Sequence, residues 1–327
     1  MRKITIEDIS RDTGLSRGTV SRALNDRPDI STQTKQRVLD ACNRLKYVPS
    51  HAARSLATGR NYAVTVFVAD LRSAFAAGIM RGVMTAAAPV HYAVQVIESD
   101  AASLDNHPIS PERIDAALNT IELDYQAARR LRDNMENRVL TSTCPLEGIP
   151  CDTFTPDFGE AGRMAARMLL RNGLREILYI HMPSRPGATD QLHGFQEVCS
   201  EHGLNPEDCT ATLENINSLP QIQARILRAQ GIAASTDYIA CSVMLTAAAG
   251  GRKPGEDFAV IGYGNESLAD QIQPTLTTLD AAGEEIGRRM MESTLQRLAH
   301  ERTQGPEHTL VAPRLIARAS THHLTAD

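Results

Sequence analysis

The sequence predicts an α/β protein, in which a small all-α head precedes a body of two lobes built from parallel sheets flanked by helices. The chain has 327 residues, enough for two or three domains, and 42% of them are hydrophobic. From Tyr62 onward, short β-rich apolar runs alternate with amphipathic segments in two successive series, which is typical of two α/β lobes. The first sixty residues contain no such alternation and are interpreted as three short helices.

The charge of the chain is distributed unevenly. Residues 1–60 contain 12 Lys and Arg against 6 Asp and Glu, whereas the whole chain contains 34 and 39. The head therefore has a net charge of +6, and the remaining residues have a net charge of −11. A basic head on an acidic body predicts that the head, and not the body, contacts a polyanion.

The three helices of the head are marked by residues that begin or end them. Thr5 begins the first helix as its N-cap, and Gly14 ends it, because glycine adopts the left-handed conformation without strain. Ser16 caps the second helix and Ser31 the third. We expect Pro49 to end the third helix, since proline disfavours helical geometry in the residue before it.

The second helix opens with residues 16–22, a run of hydroxyls and arginines on one exposed face. Two short helices joined by a tight turn and followed by a third form the helix-turn-helix pattern. Hydroxyls at a helix N-terminus suit phosphate oxygens, and arginine pairs with the O6 and N7 atoms of guanine in the major groove. The alternative is a charged face that only meets solvent. The pattern favours a head that binds double-stranded DNA.

Residues 5–25, T-I-E-D-I-S-R-D-T-G-L-S-R-G-T-V-S-R-A-L-N, resemble the head of the LacI/GalR family of bacterial transcription regulators. Residues 47–57 resemble the hinge helix of that family, which the resemblance implies folds on DNA. Leu56 matches the residue that enters the minor groove, where an apolar side chain unstacks bases, and Ser50 stands where the family usually has Asn. The residues expected to contact DNA are Thr5, Ser16, Arg17, Gly18, Thr19, Ser21, Arg22, Asn25, Ser31, Tyr47, Ser50, Ala53 and Leu56.

The body is predicted to alternate strands and helices. The predicted strands are 63–68, 92–97, 118–123, 138–142, 176–181, 238–241 and 258–262. The predicted helices are 75–88, 125–136, 159–171, 192–202 and 219–230. The first of these helices resembles the dimerising face of the family; the alternative is an ordinary helix that covers the sheet, and the two interpretations are compatible.

The body also resembles the two-lobed, periplasmic-binding-protein-like core of the same family, and residues 287–298 and 311–321 match its closing helix and strands. The predicted domains are a helix-turn-helix head at 1–48, a hinge at 49–60, a first lobe at 61–157 with about 281–312, and a second lobe at 158–280 with about 313–327. Ligands bind outside the carboxyl ends of parallel strands, so the resemblance implies an effector cleft between the lobes.

Four positions of the expected cleft lack the residues that the family usually has there. Thr143 stands in place of Asp, Gln191 in place of Arg, Ser242 begins the pair in place of Asn-Asp, and Gly264 stands in place of a carboxylate. Because Arg and carboxylates bind sugar hydroxyls through charge-assisted hydrogen bonds, we expect an atypical effector, or a core whose main task is dimerisation. The other residues assigned to the cleft are Arg72, Ser73, Phe75 and Arg185, of which the two arginines are candidates for an anionic ligand or simply solvated loop residues.

Other classes of protein find little support in the sequence. No nucleotide-binding glycine motif, zinc-protease motif or hydrolase elbow is present, and the six cysteines form no C-x-x-C pair, so we expect no enzyme, cofactor, metal site or disulfide. No run approaches the roughly 18 apolar residues of a membrane helix, and the charged start does not resemble a signal peptide. A cytoplasmic protein without a membrane partner is therefore expected.

The expected function is a homodimeric repressor that binds a pseudo-palindromic operator and responds to a small-molecule effector of unknown identity. Two-fold symmetry doubles the base contacts that one head can make. An activator, or a regulator that requires a co-repressor, remains an alternative. A small-molecule binding protein is a more distant one.

Overall fold

The computed structural model describes residues 4–24, 27–47, 55, 58–104, 111–136, 138–171 and 173–324. The chain divides into two compact units, Met1–Tyr62 and Ala63–Asp327. The described part of the first unit is helical, and the second is built on two six-stranded sheets flanked by helices, so the predicted fold class is confirmed.

The helices of the head are α1 (Ile6–Thr13), α2 (Arg17–Leu24) and α3 (Thr32–Leu45). Thr5 and Asp8 form a capping box at the start of α1, and Gly14, with a φ of 65°, ends that helix. The Ser16 hydroxyl accepts from the Thr19 N–H, and the Ser31 hydroxyl caps α3. The predicted helix starts are therefore confirmed.

The core of the head takes fully buried side chains from all three helices, among them Ile9, Val20 and Val38. Burying a side chain of this size stabilises a fold by about 1.5–3 kcal/mol. Because this apolar face of α2 packs inward, the hydroxyls and arginines of the opposite face are left for the surface.

The end of α3 differs from the sequence prediction. Lys46 adopts the left-handed conformation, with a φ of 53°, and the Tyr47 N–H donates to the Cys42 carbonyl at 2.8 Å. This closure satisfies the last carbonyls of the helix. The helix ends at Leu45, and the prediction that Pro49 ends it is wrong; Pro49 itself lies outside the described residues.

The body contains strands and helices in alternation. The strands are β1 (Ala63–Val68), β2 (Ala93–Glu98), β3 (Ala116–Asn119), β4 (Val139–Ser142), β5 (Asp152–Pro156), β6 (Ile177–His181), β7 (Thr210–Thr212), β8 (Gly231–Ala234), β9 (Ala259–Tyr263), β10 (Thr277–Asp280), β11 (His308–Val311) and β12 (Arg314–Ile316). The helices are α4 (Ala74–Ala87), α5 (Tyr125–Asn134), α6 (Phe158–Arg171), α7 (Ala188–Glu201), α8 (Gln223–Arg228), α9 (Asp237–Ala249), α10 (Leu268–Gln271) and α11 (Gly283–Leu298).

Each lobe has its own sheet. The first sheet has the order β11-β5-β4-β3-β1-β2 and is parallel throughout. The second has the order β12-β10-β9-β8-β6-β7 and is parallel except for β12, which runs against β10. The chain thus returns to the first lobe for β11 and to the second for β12, so both lobes are closed by segments from the C-terminal part of the chain.

Two strand predictions of the body require correction. The strand predicted at 118–123 is β3, Ala116–Asn119, and it ends earlier because the Asn119 side-chain amide donates to the Ile121 carbonyl in a tight turn at 2.8 Å. The strand predicted at 238–241 lies inside α9. Thr236 caps this helix by accepting from the Ile239 N–H at 3.2 Å, and the strand that precedes it is β8.

Other boundaries also differ. The helix predicted at 219–230 is a 3-10 segment, Ile216–Ile222, followed by the short α8, and Pro220 lies inside the first of them. Strands β5, β7, β8 and β10 were not predicted. Short strands next to turns give a weak sequence pattern, so these errors fall where periodicity carries little information.

Glycines allow the flanking helices to approach closely in both lobes. A Cβ atom on Gly82 of α4 would lie 2.0 Å from the Glu284 carbonyl of α11. A Cβ atom on Gly162 of α6 would lie 1.9 Å from the Gln191 carbonyl of α7. Both distances are far below van der Waals contact, so any larger residue forces these helices apart.

Candidate DNA-binding surface and effector cleft

The exposed face of α2 presents Arg17 to solvent. Arg17 is the first residue of the helix, and its guanidinium has no hydrogen bond or ion pair within the described part of the chain. Beside it, the Ser16 and Thr19 hydroxyls bond to each other at 2.9 Å at the helix N-terminus. An unpaired guanidinium next to hydroxyls and free helical N–H groups can contact base edges and phosphates without first breaking an internal bond.

Arg22 is held differently from Arg17. Its Nη1 atom lies 3.1 Å from Asp29 Oδ2, and its Nε donates to the Gly18 carbonyl at 3.4 Å. The pair is exposed, so it contributes little to stability and breaks at small cost. The Arg22 guanidinium can therefore exchange this pair for another contact, whereas Arg17 has no pair to break among the described residues.

The other residues assigned to DNA contact fall into three groups. Thr5, Ser16 and Ser31 are exposed and cap helices, and Gly18 is exposed without a side chain. Thr19 and Ser21 are half-buried on α2, and Tyr47 is half-buried against the head's core. Asn25, Ser50, Ala53 and Leu56 lie outside the described residues, as does most of the predicted hinge, so their roles remain predictions.

The two lobes of the body are linked by Glu266, which follows β9. Its Oε2 atom accepts from the Ala74 N–H at 3.1 Å, at the N-terminus of α4 in the first lobe. Ser73 caps the same helix by accepting from the Ala76 N–H. A carboxylate at a helix N-terminus is favoured by the helix dipole, so this bond favours approach of the lobes. The sequence analysis did not identify Glu266.

Gly264 lies beside the Glu266 side chain, in a backbone conformation that favours glycine. Gly264 has a φ of 121°, and a Cβ atom there would lie 3.6 Å from Glu266 Cγ and 3.8 Å from its Oε1. The carboxylate of Glu266 thus lies beside the place that a side chain at 264 would occupy. The resemblance predicts the loss of a carboxylate at 264, and the structure places another one two residues later.

A second carboxylate of this region is Asp237, the first residue of α9. It is fully buried, and it accepts hydrogen bonds from the Thr278 hydroxyl and, at 2.7 Å, from the Glu266 N–H. Burial raises the pKa of Asp237 to about 6, although these two hydrogen bonds oppose the rise. A buried carboxylate with neutral donors supports the loop that carries Glu266, and it is itself closed to solvent.

The position of Asp237 shows that the residues matching the Asn-Asp pair of the family were predicted in the wrong place. Because β8 ends at Ala234, the residues that follow the strand are 235–237, and they include this aspartate. Ser242 lies in the middle of α9, where its hydroxyl donates to the Tyr238 carbonyl at 2.9 Å. The placement of Ser242 at a strand end is wrong, and with it the inferred loss of the acidic residue after this strand.

Gln191 is also placed away from solvent. It is 3% exposed in α7, and its Oε1 accepts from the Tyr179 hydroxyl at 2.7 Å. Tyr179 lies in β6, so the pair joins the helix to the sheet beneath it. An Arg at this position would have to bury its charge or displace the helix, whereas the neutral amide fits.

The remaining cleft candidates occupy loops and helix starts. Thr143 follows β4 and is buried, with its N–H donating to the Asn119 carbonyl at 2.9 Å. Arg72 is 89% exposed and paired with Asp70, and Arg185 is exposed in the loop after β6. Phe75 is half-buried at the start of α4 and lies against Gly283. Among the described residues, neither arginine side chain is hydrogen-bonded to a buried polar group.

The described residues contain neither a membrane-spanning helix nor a cluster of metal ligands. None of the helices in the described ranges is long and apolar enough to cross a membrane. Within those ranges, no group of three or more His, Cys, Asp or Glu side chains is arranged to hold a metal ion.

The chain matches known regulators along most of its length. Residues 5–50 match the family of bacterial regulatory proteins of the lacI type, and residues 166–321 match the periplasmic-binding-protein-like domain. The regulator CelR of Thermobifida fusca is 25% identical, with 98% of each chain covered. The repressor PurR of Aliivibrio salmonicida is 24% identical over 98% of this chain and 99% of its own.

Solved structures agree on the fold. A lac repressor dimer bound to operator and an anti-inducer aligns with a TM-score of 0.73 and 20% identity, over 98% of this chain and 99% of its own. A CelR–cellobiose complex aligns with a TM-score of 0.67 and 22% identity, over 97% and 100%. The two sequence-family matches show that the chain has a head of the lacI family of bacterial regulatory proteins, followed by a periplasmic-binding-protein-like domain.

Proposed function

We propose that this regulator represses transcription by binding a pseudo-palindromic operator as a dimer, and that a small molecule in the inter-lobe cleft changes its affinity for DNA. The observation that carries the DNA-binding part is the exposed Arg17 at the start of α2, whose guanidinium has no partner among the described residues. The apolar face of the same helix is committed to the core of the head, so its polar face is the one presented to a ligand. The net charge of +6 on residues 1–60 attracts the phosphate backbone to this surface.

Exposed apolar side chains of the body support a second copy of the chain as partner. Tyr238 and Leu245 lie seven residues apart on α9, and so on one face of it, and they are 66% and 65% exposed. Met84 of α4 is 50% exposed. Large apolar groups aligned on a helix favour burial in an interface. The related lac repressor is described as a dimer bound to operator, which is the same arrangement.

The effector is proposed to differ from a common neutral sugar. Gln191 is buried and bonded to Tyr179, Gly264 has no side chain, and Asp237 is enclosed by internal donors. These positions therefore offer no charged group for bidentate bonds to sugar hydroxyls. We expect a panel of pentoses and hexoses to leave the unfolding temperature unchanged; a strong, saturable rise with one of them would contradict this part of the proposal.

Selection of binding sites from random duplex DNA tests the DNA-binding part. The purified, ligand-free chain is used at one fixed, near-physiological salt concentration, because phosphate contacts make affinity depend steeply on salt. Enrichment of a palindrome is the expected result. If only weak binding without sequence preference appears, the selection is repeated with a metabolite extract of cells. Enrichment only in the extract would favour the alternative of a required co-repressor, and none in either would contradict the proposal.

A further inference from the structure

The second lobe carries three polar side chains in one row at the carboxyl edge of its sheet. His181 ends β6, Tyr263 ends β9, and Ser235 follows β8, which lies between those strands. The register pairs Ile180 with Ala234, and Ala233 with Ile261. Extending each pairing to the strand ends places His181, Ser235 and Tyr263 side by side, and we call these three residues the polar row.

Each member of the polar row buries an atom that has no hydrogen-bond partner among the described residues. The atoms are His181 Nδ1, Ser235 Oγ and Tyr263 Oη. His181 is 5% exposed and Ser235 is 3% exposed. The other nitrogen of His181, Nε2, lies 3.0 Å from the Thr212 hydroxyl, so the ring is held in place while Nδ1 is left over.

Unpaired buried polar atoms are uncommon in native folds, because each has lost its bonds to water without a replacement. Three of them on adjacent strands are not explained by packing. Parallel sheets bind ligands outside the carboxyl ends of their strands, which is where the polar row lies. A small cavity lined by Tyr179, Gln191 and Tyr263 adjoins the row on the same sheet.

The charges around the row point to the class of ligand. Burial raises the pKa of Tyr263, and the carboxylates of Asp280 and Asp157 add to the rise, so a negative charge is disfavoured at its hydroxyl. Burial lowers the pKa of His181, which favours the neutral form of the imidazole. The row therefore offers neutral donors and acceptors in surroundings that disfavour an anion.

We propose that the polar row binds an uncharged small molecule, which accepts or donates one hydrogen bond at each of the three unpartnered atoms, and that this molecule is the effector. The inference rests on the proposed function for its regulatory meaning. Its binding part is tested without DNA, so it can fail or succeed separately from the selection of operator sites.

The first test uses the unfolding temperature of the full-length chain without added ligand. Ser235→Ala and Tyr263→Phe each remove an unpartnered hydroxyl while the surrounding shape is kept, so we expect an unchanged or higher temperature. Tyr179→Phe is the control, because its hydroxyl donates to Gln191, and it is expected to lower the temperature. If the two row variants lower it as much as the control does, the hydroxyls have partners in the fold and the proposal is overturned.

The second test adds probes to the wild type and to the double variant Ser235→Ala/Tyr263→Phe. The uncharged probes are adenine, uracil, nicotinamide, D-ribose and D-glucose, and the anionic probes are ribose 5-phosphate and citrate. We expect at least one uncharged probe to raise the unfolding temperature of the wild type saturably, with at least a tenfold higher half-saturating concentration in the double variant.

Three outcomes overturn the proposal: a shift with the anions alone, a shift that is equal in the double variant, or no shift with any uncharged probe. A shift with D-ribose or D-glucose that the double variant loses has a different meaning. It would support the polar row as the binding site and contradict only the exclusion of common sugars in the proposed function.

Discussion

The two lobes of the body each bury an aspartate, and they stabilise it in opposite ways. In the first lobe, Asp152 receives two hydrogen bonds from Arg297, at 2.6 and 2.9 Å, one from the Ser293 hydroxyl and one from the Glu307 N–H. In the second lobe, Asp237 receives bonds only from neutral donors. Burial raises the pKa of both, but the Arg297 guanidinium and the other donors bring Asp152 to about 2, whereas Asp237 stays at about 6.

The difference separates an aspartate that an arginine holds in the first lobe from one that only neutral donors hold in the second. Asp152 joins β5, α11 and the segment before β11, and so ties together the three parts of the chain that close the first lobe. Beside Asp237, the second lobe has the three unpartnered atoms of the polar row. Saturated polar networks rigidify a fold, whereas unsaturated ones mark places where a further group can bind.

Removing the Asp152 carboxylate is expected to change the free energy of unfolding more than any other substitution predicted here. Asp152→Ala leaves the Arg297 guanidinium, 19% exposed, without its anion, and should lower the free energy of unfolding by about 3–5 kcal/mol. Chemical denaturation measures the change. Asp133→Ala, which breaks an exposed pair with Arg132 in the same lobe, is the control and should cost less than about 1 kcal/mol. Equal losses would show that Asp152 is not the structural tie described here.

The pH dependence of the unfolding free energy tests the second of these two aspartates, Asp237. The pKa of Asp237 in the folded chain lies above its ordinary value of 3.8, so the folded state keeps a proton that the unfolded state has released. Stability from this group is therefore fully present below about pH 4, declines as the pH rises to about 6, and then stays constant, with a total change on the order of 3 kcal/mol.

The comparison with Asp237→Asn isolates that contribution. Between pH 4.5 and 7, the wild type should lose stability relative to this variant as the pH rises, measured as the difference between their denaturation free energies. The exposed Asp190 serves as control, and Asp190→Asn should follow the wild type at all pH values. A pH-independent difference between the wild type and Asp237→Asn would mean that Asp237 is not held in a proton-retaining site.

The same comparison, between a charged group that is paired and one that has no partner among the described residues, can be made for two arginines, Arg297 of the first lobe and Arg17 of the head. Arg297 is consumed by Asp152, whereas Arg17 has no partner within the described ranges. Arg17→Ala should leave the unfolding free energy within about 0.5 kcal/mol and weaken binding to the selected operator by about 1–3 kcal/mol, with little effect on random DNA. Fluorescence anisotropy measures both affinities, with Arg11→Ala on α1 as an exposed control. Equal loss on both duplexes would make Arg17 a phosphate contact.

How far the sequence determined these features depends on how local their causes are. The helix starts at Thr5, Ser16 and Ser31 were predictable because each cap bonds to a backbone group three residues away. The end of α3 was not, since Lys46 adopts the left-handed conformation that glycine usually marks. The buried face of α9 explains the false strand at 238–241, because Ile239, Ala240 and Cys241 are consecutive buried residues.

The cleft was harder to predict because it depends on contacts that are distant along the chain. Glu266 and Ala74 are 192 residues apart, and the polar row is formed by the register of three strands whose bounds were partly mispredicted. The sequence did indicate the strand ends as the place to search, and His181 was correctly placed at the end of a strand. Which polar atoms stay unpaired there follows only from the packed structure.

Specific recognition of DNA is tested most directly by the ratio of two affinities. We would measure binding of the full-length, ligand-free chain to the selected palindrome and to a scrambled duplex of equal length, at the same near-physiological salt concentration. A specific regulator should prefer the palindrome by about 10³-fold or more. Equal affinity for the two duplexes would contradict sequence-specific binding by the ligand-free chain and leave only electrostatic attraction of the basic head to DNA.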